Sequence, residues 1–390
     1  MTTLADTAQV SVESPKKSSA VDWRLFRSVI ALALIFGVLA FLTDGTFLSA
    51  RNLTNLTRQV AINGILAVGM TYVILIGGID LSVGSVVALA GVVAGALQVH
   101  RGLAQWEGAQ AWVGAALSIG AAIGVGALAG VFNGWMITRY RIVPFIITLG
   151  MMVIARGLAL IFSDGAAVAP LGDAFNSIGQ AYIPPMAAVI LVGVVGLFFV
   201  VQTLLKKGKA ASDYVLAAMS LAVTGGAVYA FYGYQGLPVP VLIFGVLGMV
   251  GVIILQRTRL GRFVLAIGGN PEAAWLAGVP IRKITMGIYV VLGALAGLSG
   301  AILAARLNGA LPTAGELFEL DAIAAVVIGG TSLLGGVGTV RGSILGAFFI
   351  GALNNGMSLM AVTEFYQKVI KGIIIILAVW FDTRQSKGGR

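Results

Sequence analysis

The chain has 390 residues, 58% of them hydrophobic, with 25 Lys+Arg and 15 Asp+Glu, a charged share of 10%. Soluble domains carry roughly 25% charged residues, so this composition excludes a soluble enzyme. The absence of Cys and the single histidine, His100, remove disulfides, thiolate metal sites and histidine acid/base chemistry; the net charge of +10 lies between apolar runs instead of on one basic face, which argues against nucleic-acid binding.

The 54 glycines are scattered through apolar runs, the pattern of closely packed membrane helices. Residues 1–24 form a polar, Ser/Thr-rich tail with Lys16 and Lys17. The apolar run from Ser28 to Leu42 lacks a small-residue cleavage site and reads as a retained anchor. A helix crossing a hydrocarbon core of roughly 30 Å needs about 20 apolar residues. On that scale the chain offers twelve spans, near 25–43, 60–78, 82–99, 112–137, 142–162, 185–204, 213–232, 238–255, 284–305, 320–336, 343–361 and 366–381. The fold class expected is therefore all-α and polytopic.

Several positions stand out along these spans. Gly77-Gly78 can end the second span, and Asp80 or Ser82 can then cap the third by accepting backbone N–H groups; Asp80 as a gate or ligand contact is the alternative. Asn133, Arg156, Asn354 and Asn355 are polar groups at membrane depth, able either to bond between helices or to line a passage. Arg156 can also snorkel towards the surface. Phe145 and Phe175 can stack on a ligand or pack. His100 reads as an exposed loop residue. Gly208-Lys209 is followed by Ala210, so the chain has no phosphate-binding G-x-x-x-x-G-K-[ST] loop.

The segment 256–283 is the longest loop on its side, and its stretch 270–278 carries helix signals at both ends. Asn270 can cap, Pro271 suits the first helical position, Glu272 complements the helix dipole, and Gly278 can take the left-handed conformation before Pro280. A helix of two turns needs packing to hold it, against its own chain or in a partner's groove. Ala273, Ala274, Leu276 and Ala277 offer a small apolar face, ringed by Arg257, Arg259, Arg262, Arg282 and Lys283. With the N-terminus inside, Lys and Arg divide 18 against 6 between inner and outer segments, with Arg156 inside a span, which favours both termini being cytoplasmic.

The run from Gly77 to Ser85, the loop from Gly261 to Gly278, and the run from Glu319 to Leu333 together resemble the permease subunit of bacterial ABC importers for monosaccharides, the ribose, xylose and galactose group. Phe132-Asn133-Gly134, Pro144 to Gly150, and Leu353-Asn354-Asn355-Gly356 add to the resemblance, which covers about residues 47–383. It implies a type II importer fold and a dimer of permease chains in the inner membrane. It also implies a cytoplasmic ATPase holding ATP and Mg, a periplasmic or lipid-anchored sugar-binding protein carrying most of the selectivity, and no cofactor in this chain. By resemblance, Arg262, Gly269, Asn270, Glu272, Ala273, Ala274 and Gly278 belong to the ATPase-coupling loop; the outer loops around Asp164, Asp173, Glu316 and Glu319 would meet the binding protein, a solvated acidic face being the alternative.

One departure is an extra helix pair at about 204–237 behind the turn Lys206, Lys207 and Lys209, expected at the periphery; this longer form is similar to D-xylose permeases. The sugar expected is xylose, with ribose, galactose or another aldose as alternatives. Within the family, shifting Gly77-Gly78 onto Gly329-Gly330 also lays Leu81 on Leu333 and Gly84 on Gly336, which reads as two structural repeats. An ion-coupled secondary transporter would need a charged site at depth, and a membrane scaffold would move nothing.

Overall fold

The computed structural model describes residues 23–205 and 211–387. The expected tail 1–24 up to residue 22, the lysines of the 206–210 turn, and the last three residues lie outside the described residues. The chain forms α1 (Trp23–Leu42), α2 (Ala50–Leu75), α3 (Val83–Val99), α4 (Gly108–Tyr140), α5 (Pro144–Phe162), α6 (Asp173–Gln180), α7 (Pro185–Leu204) and α8 (Ala211–Tyr232). It continues through α9 (Val239–Arg257), α10 (Arg259–Gly269), α11 (Pro271–Leu276), α12 (Ile281–Leu307), α13 (Phe318–Ile328), α14 (Val340–Leu359) and α15 (Glu364–Lys387). Six of these helices are long and apolar enough to cross a membrane, and α3 and parts of α1 and α8 are shorter apolar helices. Two-residue strands, β1 (Tyr182–Ile183) and β2 (Leu237–Pro238), pair antiparallel with Tyr182 opposite Pro238.

The core lies along α2, α3 and α12, whose Ile65, Leu66, Met70, Ala90, Tyr289 and Leu292 are fully buried. Glycine sets how closely the helices approach. On α4, Gly126 and Gly130 face Gly293 and Tyr289 of α12, and a Cβ at Gly126 would collide with the Gly293 carbonyl. The reverse holds for Gly293 against Gly126 and for Gly297 against Ala122. Without a hydrophobic drive between lipid-immersed helices, such backbone approach supplies the dispersion contact that holds them. By contrast α7 and α8 pack chiefly on each other, with Gly196 against Thr224. They share a small separate cluster of Ala188, Ala230, Phe231 and Leu237, and the Thr54 hydroxyl of α2 donates to Ala230 O at 2.9 Å.

The segment expected as a span at 320–336 is helical only over Phe318–Ile328. Eleven residues rise about 17 Å, short of a roughly 30 Å core. The helix ends because Gly330 is left-handed (φ +86°), its N–H donating to Val327 O at 2.8 Å and that of Thr331 to Val326 O at 3.1 Å. The chain then continues as irregular backbone to Thr339. α12 leaves the end of the bundle that carries α11, so α13 starts at the opposite, far end. Gly336 nevertheless lies at the α11 end, its N–H bonded to Leu75 O at 2.9 Å. The segment 318–336 therefore runs from the far end to the α11 end, as helix to Ile328 and as irregular, turning chain beyond it. Non-helical backbone is tolerated at such depth only where protein surrounds it.

The two glycine turns coincide locally one position away from the expected shift. Gly77 is left-handed (φ +78°), its N–H donating to Ile74 O and that of Gly78 to Val73 O. This is the pattern seen at Gly330 and Thr331, so Gly77 matches Gly330 in backbone, not Gly329, whose φ is −67°.

Candidate functional site

At the α11 end the turn joining α2 to α3 is closed by polar side chains. Asp80, 3% exposed, accepts the Ser82 backbone N–H at 2.8 Å and the Ser82 hydroxyl at 2.6 Å on the same oxygen. Asn133, from the last third of α4 and 1% exposed, donates to Ser82 Oγ at 3.1 Å and to the other Asp80 oxygen at 3.5 Å. Ser82 itself makes no side-chain cap on α3, contrary to one of the two capping expectations: its backbone is already helical (φ −84°, ψ −14°) and its hydroxyl oxygen accepts from Asn133 instead. The geometry is that of a buried tie between the helix break and α4. Asp80, Ser82 and Asn133 border a small cavity walled by Gly130, Gly293 and Ala296.

A second carboxylate, Asp321, sits in the first turn of α13 near the far end and is 3% exposed. Its Oδ2 accepts from Lys371 Nζ of α15 at 3.2 Å, Asn354 Nδ2 of α14 at 3.2 Å and Asn63 Nδ2 of α2 at 3.5 Å. Four helices thus converge on one oxygen. Sequence reasoning picked out Asn354 but not its partners, which lie on three other helices. Asn355 turns elsewhere: it exchanges two amide hydrogen bonds with Asn52, at 2.9 and 3.0 Å, and joins α14 to α2. Asn133 and Asn355 are therefore interhelical ties, and Asn354 belongs to the Asp321 cluster.

The half-buried Arg156 reaches towards the far end of the bundle. Its guanidinium donates to Pro312 O and, at 3.0 Å, to Ala314 O, clasping the loop between α12 and α13. Beyond it Glu316 in that loop pairs with Lys368 of α15 at 2.8 Å. The Lys368 ammonium beside it holds the Glu316 carboxyl below the usual carboxylate range. Phe175 is fully buried, Phe145 half exposed, and His100 exposed as the C-cap of α3.

The loop 256–283 holds two helices, not one. Thr258 caps α10 by accepting the Gly261 N–H at 3.3 Å, and Val264 and Ile267 turn inward. Asn270 Oδ1 accepts the Ala273 N–H at 3.0 Å to start α11, with Glu272 in its first turn. Gly278 ends it with φ +79°, and Val279 N–H returns to Ala274 O at 3.0 Å. Ala274 and Val279 face the protein's own core, so the small face expected to meet a partner is in part turned inward. What faces outward is larger: Trp275 is 68% and Leu276 74% exposed. Arg257, Arg259, Arg262, Arg282 and Lys283, which flank α11 along the chain, are all exposed, and Gly269 lies at the junction of the two helices.

Comparison with known proteins places these features in a family. The chain is 39% identical over 381 residues to the xylose transport system permease protein XylH of Haemophilus influenzae, covering 95% of this chain and 99% of that one. It is 40% identical over 374 residues to XylH of Escherichia coli K12, covering 93% and 92%. The ribose import permease protein RbsC of Bacillus subtilis is 37% identical over 363 residues, again covering 93% and 92%. No solved structure matches. Residues 52–379 match the family described as the branched-chain amino acid transport system / permease component, and with near full-length likeness to sugar permeases the chain belongs to that permease family.

Proposed function

We propose that this chain is the inner-membrane permease of an ABC importer for an aldopentose, D-xylose, with ribose, galactose or another aldose as the alternative cargo. The sugar rests on the relatives: those named for xylose are 39–40% identical, the ribose permeases 36–37%. Two copies form the pathway, a sugar-binding protein docks at the far end, and a separate ATPase with ATP and Mg docks at α10 and α11. Both termini then face the cytoplasm, as the Lys and Arg distribution favours. The pair α7 and α8 is an addition that leaves the pathway unchanged, in keeping with its separate cluster.

The observation that carries this reading is α11. A six-residue helix that leaves Trp275 and Leu276 exposed, with exposed basic residues on both sides of it in the chain, has the makings of an anchor in a partner's apolar groove with an acidic rim. Closure of the ATPase pair would move α11, and the two permease copies would exchange an outward opening for an inward one. Asp80 and Asp321 do not favour an ion-coupled reading: Asp80 ties the helix break at the α11 end, and Asp321, which reaches Asn63 midway along α2, is already paired with Lys371.

Proteoliposomes decide between the classes. With the cognate ATPase and binding protein, uptake is expected to follow ATP, and replacing Glu272 and Gly278 by bulky residues is expected to uncouple it while insertion stays normal. Accumulation driven by a proton or sodium gradient without the ATPase overturns the proposal. Titrating the binding protein encoded beside this chain with xylose, ribose and galactose settles the cargo.

A further inference from the structure

The hinge that carries α11 is clamped by backbone, not by side chains. A Cβ added to Gly268, next to last in α10, would collide with Leu75 O at the end of α2 and with the Gly336 N–H in the loop before α14. Gly336 donates that N–H to Leu75 O at 2.9 Å and is left-handed at φ +74°; a Cβ there would stand 2.8 Å from both N and Cα of Gly269. Gly335, at φ +88°, would place a Cβ 3.0 Å from Gly77 N and 3.1 Å from Leu75 O. Three segments meet here: the root of α11, the helix break at Gly77, and the irregular crossing that follows Gly330. Side-chain contacts can absorb a small displacement by changing rotamer, whereas backbone in contact with backbone has no such slack.

We propose that Gly268, Gly335 and Gly336 form a transmission joint, through which displacement of α11 reaches both the α2–α3 break and the loop before α14 without loss. These glycines are positioning residues: they touch neither sugar nor nucleotide, and act by passing motion between the elements they join. The inference rests on α11 being the place where the ATPase pushes, so its test must be able to fail separately from that reading.

The chain contains no cysteine, so single cysteines introduced into the complete transporter report on their own positions. Trp275→Cys tests the underlying reading: the bound ATPase is expected to shield it from a maleimide, and an unshielded thiol removes α11 as the docking point. Leu334→Cys, at a side chain 77% exposed beside Gly335, tests the joint. Trapping the ATPase with ATP and vanadate is expected to change its alkylation rate by about fivefold or more. An unchanged rate at Leu334→Cys, with Trp275→Cys shielded, overturns the joint alone. In a third arm, Gly268→Ala and Gly336→Ala are expected to raise the ATP hydrolysed per sugar moved by about tenfold. Gly287→Ala on α12, where a Cβ meets nothing within 4 Å, is expected to leave that ratio unchanged. A normal ratio in an assembled Gly268→Ala transporter also overturns the proposal; where that variant does not assemble, the Leu334→Cys arm decides.

Discussion

The two helix breaks of this protein end alike and are repaired differently. At Gly77 and at Gly330 a left-handed glycine closes the preceding helix with the same pair of backbone hydrogen bonds. After Gly78 the chain is caught at once by Asp80, Ser82 and Asn133, and α3 begins at Val83. After Gly330 no carboxylate waits. The Thr331 hydroxyl is buried without a partner, Ser332 N–H reaches Val337 O at 2.9 Å, and Gly335 and Gly336 carry the turn. Leu334 at its tip is exposed. One break is held by buried polar side chains, the other by backbone bonds, among them that of Gly336 N–H to Leu75 O of α2, with the Ser332 hydroxyl accepting the Leu334 N–H at 3.3 Å. The same helix stop can thus become a fixed tie or a loop dependent on the elements around it, according to the few residues that follow.

This contrast can be broken at the first break most severely. Asp80→Ala removes the acceptor for three buried donors and is expected to cost about 3 kcal/mol, seen as lower thermal stability of the detergent-solubilised transporter. Asp80→Asn keeps an acceptor oxygen and is expected to retain transport; its loss with stability intact would return Asp80 to the role of gate. Next comes the other carboxylate. Lys371→Met strands Asp321 and is expected to cost about 2 kcal/mol, with Asp321→Asn in the same chain recovering most of it in a double-mutant cycle.

The second break is expected to respond in the opposite sense. Thr331→Val removes a fully buried hydroxyl that has no partner, and is expected to leave stability unchanged or raise it by about 1 kcal/mol. A loss as large as that of Asp80→Ala would abolish the distinction between the two breaks. The smallest effect lies at the far end. Because Lys368 lowers the Glu316 carboxyl, their pair stabilises the fold above the ordinary carboxylate range, and the contribution is lost as pH falls through the lowered value. Both side chains are about half exposed or more, so Glu316→Gln is expected to shift the melting temperature at pH 7 by only about 1 °C, and the difference vanishes in acid.

Much of the helical layout is readable from hydropathy alone, and α11 is readable in detail, because caps are local: Asn270, Pro271 and Gly278 act within one short stretch. The premature end of α13 is not. Gly329 and Gly330 sit in a run that stays apolar to Leu334, and a hydropathy window does not register where a helix stops. α10 carried a usable signal in the three-residue spacing of buried Gly261, Val264 and Ile267, after a Thr258 cap. The polar clusters are another matter. Asn52 finds Asn355, and Asp321 finds Asn63 and Lys371, across separations that only the folded topology closes. A single sequence names the groups that need partners but not the helix that supplies them.

The glycine seam between α4 and α12 constrains how such a machine can cycle. The seam leaves no room for a methyl group at Gly126, Gly130, Gly293 or Gly297, so the backbones of α4 and α12 are seated directly on each other. At the α11 end the pair is bounded by the left-handed Arg141 that closes α4 and by Pro280 that opens α12. Pro280 follows directly on the left-handed Gly278 turn that ends α11, so the seam and α11 are joined by only a few residues.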